Sequence, residues 1–317
     1  MSSPDQRPFR FGVVGESIRT VDELTTTARR AEEFGYATLT LRDHFVAEPF
    51  GDQLAPLVAL AAAAGATRTL GLGTLVLSND FRHPVMLAKE AATLDHVSGG
   101  RFELGVGAGW LRDEYERAGM PFDGAAVRVD RLEESLTILR SLLGGEKTSF
   151  TGEHYHVRDL TVFPAPARPT PLLVGAGSRR MLGIAGRYAD TVGILPRALP
   201  NGTISDEMTE RMPDTIARKV EWVREAAAGR DVELSMLVSP VFGSDPRATA
   251  ARQALLRGWG TSATDLVLGM PSQFVGPAEH MAEQMVARRE RFGFSYYLVN
   301  DAAMEEFAPV VDLLAGR

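Results

Sequence analysis

Short apolar runs rich in β-branched residues alternate along the chain with longer stretches whose apolar residues recur at helical spacing. The runs fall at 9–14, 37–41, 70–77, 101–106, 172–175, 191–195, 233–241 and 294–299. Helical period dominates near 22–35, 55–66, 84–97, 128–143, 178–187, 213–228, 276–292 and 303–315. Near-continuous apolar strands separated by helices predict a parallel sheet buried on both faces. Eight such units in order predict an α/β fold of the (β/α)8 TIM-barrel type. An open doubly wound sheet is the rival that periodicity leaves standing.

End signals agree with this segmentation. Asp22 and Glu23 place acids in a first turn, and Gly35 reads as the C′ residue that follows. Pro84 stands at a first helical position, Gly99 and Gly100 close that unit, and Ser178 is an N-cap candidate. Three segments break the rhythm, at 144–171, 197–212 and 243–272. The first reads as a hairpin and a proline-rich connector. All three are expected as loop insertions on the C-terminal face of one barrel domain spanning 1–317.

Composition narrows the function. The chain has 317 residues, 44% hydrophobic and 24% charged, enough to build its own core. With no cysteine, disulfides, zinc–thiolate sites, iron–sulfur clusters and a cysteine nucleophile are all excluded. A net charge of −7 has the wrong sign for a binder of phosphate backbones, so no nucleic-acid partner is expected. The first ten residues have no apolar core, and the longest mostly apolar stretch, 54–66, is too short to span a bilayer. The expectation is a soluble, cytoplasmic protein with no membrane partner.

Two glycine-rich strand ends carry the first candidate chemistry. Gly105, Gly107 and Gly109 alternate after a strand, but Trp110 stands where a dinucleotide fingerprint needs its third glycine. Alternating glycines admit a flat ring or a close backbone, or simply thin a strand for packing. The run from Gly175 through Ala176 and Gly177 to Ser178 ends a strand and opens a helix, a geometry that suits a phosphate. Arg179 and Arg180 add charge beside it. A tight turn with solvated arginines is the plainer alternative.

Asp43 and His44 close the second strand, at the end where barrel enzymes keep catalytic side chains. The pair suits acid–base work or the orientation of a ring, although neighbours on a strand face opposite ways and are not expected to bond each other. Asn79, Asp80, Arg82 and His83 follow the third strand at the same face. His154 and His156 suit a hairpin ladder better than a metal site, since no carboxylate ligand is evident nearby, and no metal is expected. His96 and His280 read as ordinary helix residues. No nucleophile elbow, Walker sequence or His-Glu-x-x-His motif occurs. A ring-and-phosphate site without a nucleophile points to an organic redox cofactor.

Taken together, LRDHF at 41–45, GTLVLSNDFRHP at 73–84, LAKEAATLD at 87–95, SGGRF at 98–102, GVGAGW at 105–110, RLEE at 131–134 and LVGAG at 173–177 carry a family resemblance. The chain resembles the bacterial-luciferase-like flavin and deazaflavin family, and more narrowly its actinobacterial F420-dependent branch. That resemblance implies a barrel, usually dimeric, with the cofactor ring at the C-terminal mouth. It implies that Asp43 and His44 contact ring and substrate, and that a cis peptide between Leu75 and Val76 lies against the ring's face. Ser78 and Asn79 would follow toward the pyrimidine edge, and Gly107, Ala108 and Gly109 would run along the cofactor. Gly175, Ala176, Gly177, Ser178 and Arg179 would hold the phosphate. Sugar-phosphate dehydrogenases of this family carry a catalytic glutamate where this chain has Trp110, so a sugar phosphate is not carried over. Trp110 would instead wall the site for a less polar or planar substrate.

The implied activity is hydride transfer between the C5 of coenzyme F420 and a small organic substrate, with His44 handling the proton. Reduction of C=N or C=C and oxidation of an alcohol fit equally. One alternative is an FMN-dependent two-component monooxygenase using reduced flavin and O2. The other is a catalytically silent flavin-binding barrel. Arg179, Arg180 and Arg197 along the mouth favour the longer anionic tail of F420. A homodimer and a flavin or F420 reductase or dehydrogenase as cofactor supplier are the expected partners.

Overall fold

In the computed structural model, which describes residues 7–317, all eight expected strands form and pair in parallel. They are β1 (Arg10–Gly15), β2 (Thr38–Leu41), β3 (Gly71–Thr74), β4 (Phe102–Gly107), β5 (Leu172–Ala176), β6 (Thr191–Ile194), β7 (Glu233–Leu237) and β8 (Phe294–Asn300). The alternating helices are α1 (Val21–Glu33), α2 (Pro56–Ala66), α3 (Pro84–Ser98), α4 (Ala125–Leu143), α5 (Arg179–Tyr188), α6 (Pro213–Ala227), α7 (Ala278–Phe292) and α8 (Met304–Leu314). β1 pairs with β2, Gly12 opposite Thr38, and with β8, Arg10 opposite Tyr296. The sheet therefore closes on itself, which excludes the open doubly wound arrangement and leaves a TIM barrel. Part of the reading of the first ten residues concerns 1–6, which lie outside the described residues.

The end signals hold where they were read. Gly35 follows α1 at φ 74°, and Gly99 and Gly100 close α3 at 71° and 82°, left-handed backbone that suits glycine. Thr20 and Glu23 form a reciprocal capping box at the start of α1. The expected strand 70–77 is interrupted at a cis Leu75–Val76 peptide and resumes at Leu77, which pairs with Val106.

Alternation along β4 explains its glycines. Phe102, Leu104 and Val106 join the core between strands and helices, while Glu103, Gly105 and Gly107 take the other face. A Cβ on Gly105 would collide with the Thr74 carbonyl, and one on Gly107 would lie 2.9 Å from Val76 Cγ2. Both glycines make room for the bend after β3, the strand-thinning alternative. Val14, Leu173, Tyr296 and Leu298 pack with partly exposed Leu75 and Val76 in a separate cluster. At the N-terminal ends, Arg10 bonds Glu103 at 2.9 Å and Glu233 at 2.8 Å and stacks 3.5 Å over Tyr296. Burial pushes the Glu103 carboxyl up, and Arg10 pulls it back down.

The three departures from the rhythm differ. Residues 144–171 contain an antiparallel hairpin, Thr148–Thr151 with His156–Leu160. This segment leaves α4 and enters β5, so it is rooted at the N-terminal end of the barrel and not at the C-terminal face. It folds back because Glu134 on α4 accepts from the amides of Glu153, His154 and Tyr155 at 2.7–3.0 Å. Residues 197–212 follow β6 at the C-terminal face, as expected. Residues 243–272 lie at that face too, yet are no loop: they hold helices Pro246–Leu256 and Thr264–Gly269 around Ala250, Ala254 and Val267. Their apolar positions are largely alanines, too weak a signal for periodicity, although Asp245 capping and Pro246 opening the first helix were legible.

Glu32, at the end of α1, clamps the connection from α2 to β3. One oxygen accepts from the amides of Arg68, Thr69 and Leu70 at 2.5–2.9 Å and from the Thr69 hydroxyl at 2.9 Å. These bonds, the Thr69 amide foremost, lower its pKa from 4.5 to about 2. The depressed value means the stabilisation is complete above about pH 4.5 and fades as pH falls toward 2. Glu32→Gln is expected to cost about 1–2 kcal/mol at pH 7, a Tm loss of about 2–4 °C, with the gap to wild type closing below pH 4.5 in calorimetric scans.

Candidate active site

At the C-terminal mouth, Asp43 and His44 point to different partners, as their adjacency required. Asp43 is buried and accepts from both Arg82 nitrogens, at 2.6 and 3.0 Å, and from the Ser78 amide at 3.2 Å. The pair ties the segment after β3 to the end of β2. His44 turns to Glu114, whose Oε2 lies 3.2 Å from Nδ1 and also accepts from the Phe45 amide at 3.1 Å. Glu114 sits on a short helix, Arg112–Arg117, and is only 2% exposed. Sequence reasoning missed it; its signal was an acid in a first turn just beyond Trp110.

Aromatic rings surround the imidazole. His44 lies 5.0 Å from Phe50 and 5.9 Å from Trp110, and Phe50 and Trp110 meet edge-on at 6.3 Å. Phe50, also missed from sequence, is held by Arg42 stacked 4.1 Å above it, itself bonded to Glu16 at 3.0 Å. Trp110 thus stands as an apolar wall beside His44.

The segment after the cis peptide is fixed by a second network. Ser78 donates to the Tyr115 hydroxyl at 3.0 Å, Tyr115 donates to Asp80 at 3.1 Å, and Asp80 accepts from Arg131 at 2.8 Å. Burial pushes the Tyr115 phenol up. Gly109, at φ 73°, leaves the space that the Tyr115 hydroxyl fills, and Ala108 packs at the edge of the core. Asn79 is 1% exposed; its amide nitrogen donates to Tyr155 at 3.3 Å, while its oxygen has no partner. A buried carbonyl left unpaired at a barrel mouth suits the N–H of a bound ring.

Across the mouth, Gly175 and Ala176 end β5 and Ser178 caps α5, its hydroxyl accepting from the Met181 amide at 3.4 Å. Gly177 has no room for a Cβ against the Pro196 carbonyl. Among the described residues, the Arg179 and Arg180 amides have no hydrogen-bond partner, which leaves the helix end free for an anion. The basic groups expected along the mouth are mostly spent. Arg180 pairs with Asp130, and Arg197 with Glu210 at 3.2 Å and Glu207 at 3.4 Å. Arg179 alone of the three has no carboxylate partner among the described residues, its guanidinium 5.7 Å from the Trp222 ring. Of the three, Arg179 alone is left to meet an anionic tail, because acids distant in sequence neutralise the other two. Among the described residues no cluster of histidines and acids could hold a metal ion, and no helix is long and apolar enough to cross a membrane.

A family profile for luciferase-like monooxygenases matches residues 7–310. An F420-dependent glucose-6-phosphate dehydrogenase of Nakamurella multipartita is 34% identical over 189 residues, 58% of this chain and 55% of its own length. An F420-dependent hydroxymycolic acid dehydrogenase of Mycobacterium tuberculosis is 33% identical over 195 residues, 59% of this chain and 53% of its own length. The chain thus spans about half the length of these curated relatives. The structure of an F420-dependent secondary alcohol dehydrogenase in complex with an F420–acetone adduct aligns with a TM-score of 0.75 at 19% identity, over 97% of this chain and 98% of that one. At that identity the likeness is one of fold.

Arg82→Met leaves the Asp43 carboxylate buried without its cation and is expected to cost about 3 kcal/mol in urea unfolding. Combining it with Asp43→Asn is expected to cost less than the two single changes added together.

Proposed function

Because the chain belongs to the luciferase-like monooxygenase family, we propose that it is an F420-dependent oxidoreductase, a single-domain cytoplasmic enzyme acting on a small organic substrate. The observation that carries this reading is the unengaged N-terminus of α5 at the same mouth as a His44 ring whose Nδ1 is held by Glu114. The curated relatives named as F420-dependent dehydrogenases favour the deazaflavin over FMN.

When bound, the deazaflavin supplies at C5 the hydride chemistry that no side chain here provides. The chain's residues do the rest. The amides of Arg179 and Arg180 and the Arg179 guanidinium hold a phosphate at the capped helix end. The Asn79 oxygen accepts from a ring N–H, and partly exposed Leu75 and Val76 offer an apolar surface. Trp110 and Phe50 keep water from the reacting groups and favour a planar or weakly polar substrate. Nε2 of His44 gives or takes the proton that accompanies the hydride.

We place a homodimer interface on the outer face of α2 and α3. No residue of α2 is charged, and its outward side presents Val58, 77% exposed, with Ala61 and Gly65. Met86 at the start of α3 and Phe45, stacked 4.4 Å from Phe81 just before that helix, are each 55% exposed. A helix apolar on its solvent side belongs against a partner. Val58→Asp is expected to turn a dimer into a monomer by sedimentation, and a monomeric wild type would end this part of the reading.

Titrating the apoprotein separately with F420 and FMN, followed by fluorescence quenching, tests the function. Micromolar or tighter binding of F420 with weak FMN binding is expected. Preference for FMN would instead make the protein the oxygenase half of a two-component system fed by a separate flavin reductase. His44→Ala is expected to keep F420 binding and lose about 100-fold or more in turnover. Binding with no turnover on any acceptor or alcohol would leave a silent barrel.

A further inference from the structure

We infer that Glu114 is a positioning residue that sets which ring nitrogen of His44 carries the proton. The inference rests on the reading of His44 as the proton-handling group. Two buried carboxylates serve the end of β2, and they are satisfied differently. Asp43 is saturated by Arg82 and the Ser78 amide. Glu114 has no lysine or arginine partner among the described residues. The other charged side chains of its helix pair with one another, Arg112 with Glu116 at 3.7 Å and Asp113 with Arg117 at 3.0 Å.

What remains for Glu114 is the Phe45 amide and Nδ1 of His44, which lies 3.3 Å from Oε1 and 3.2 Å from Oε2. A carboxylate can only accept, so the proton of a neutral His44 resides on Nδ1. Nε2 makes no hydrogen bond among the described residues, and the ring's other neighbours, Phe50 and Trp110, are aromatic flanks. The neutral imidazole is thereby left with its lone pair on Nε2, the nitrogen that exchanges a proton with substrate. The Phe45 amide locks the carboxylate against rotation. An exposure of only 2% keeps water from replacing it.

Glutamine at this position has nearly the same shape and the opposite instruction. Its oxygen can serve the Phe45 amide, which turns the NH2 group toward Nδ1. Nδ1 then faces a donor in place of one of its two acceptors, and the tautomer population shifts toward a proton on Nε2. Long-range 1H–15N correlation spectra of the 15N-labelled protein, recorded where His44 is neutral, read the two nitrogens directly. The His44 signals are assigned among the six histidines by comparison with His44→Gln.

The expected result is a proton on Nδ1 in the wild type and a tautomer population shifted toward Nε2 in Glu114→Gln. A wild-type ring protonated on Nε2, or a tautomer population unchanged in Glu114→Gln, would overturn the inference. If Glu114→Gln does not fold, the wild-type spectrum decides alone. F420 titration of the same wild-type sample separates the two readings: failure to bind overturns the proposed function, while the tautomer result decides the role of Glu114.

Discussion

Closing eight parallel strands leaves an interior only as wide as the side chains that fill it, so each large inward residue needs small neighbours. Tyr296 faces Gly12, where a methyl would lie 3.0 Å from its hydroxyl, and Val76 faces Gly105, Gly107 and Gly175. The same constraint requires charge at the floor to be compensated, which the bonds of Arg10 to Glu103 and Glu233 achieve. Parallel pairing also sends every strand's C-terminal end to one mouth. Residues separated by more than a hundred positions, such as His44 and Ser178, thus reach one mouth without touching.

At that mouth the protein uses ionic groups mainly to hold backbone in place. Arg82 pins Asp43, Glu16 pins Arg42 against Phe50, and Asp80 with Arg131 anchors Tyr115 beside Ser78. The groups left without such duties among the described residues stand out by contrast: the Asn79 oxygen, the amides of Arg179 and Arg180, the Arg179 guanidinium, and Nε2 of His44. In the proposed function these groups align flat partners and move one proton, work that depends on positioning more than on a reactive side chain.

The excursion after β6 adds a roof. Gly202, at φ 86°, packs against Arg112, which also donates to the Pro200 carbonyl at 3.3 Å. The excursion thus reaches from β6 to the segment beyond β4, across the end of β5 that lies between them in the barrel. Glu210 fastens its base through Lys219, which donates to that carboxylate and to the Leu195 carbonyl, both at 2.7 Å. Burial lowers the Lys219 pKa, and the ion pair opposes it.

The alternation of strand and helix, the caps at Gly35, Pro84 and Ser178, and the position of Asp43 and His44 at a strand end were all determined by the sequence, because each depends on local spacing or local backbone. Periodicity placed eight barrel strands, but only pairing of β1 with β8 decided that the sheet closes, since closure is a relation between the two ends of the chain. Which charges remain free was likewise tertiary: Arg180 and Arg197 look like anion ligands until Asp130 and Glu210 arrive from other elements. Glu114 shows the limit most clearly. Its helix is six residues long and its partner lies 70 positions away; an acid in a first turn beyond Trp110 was legible along the chain, but its meeting with His44 was not.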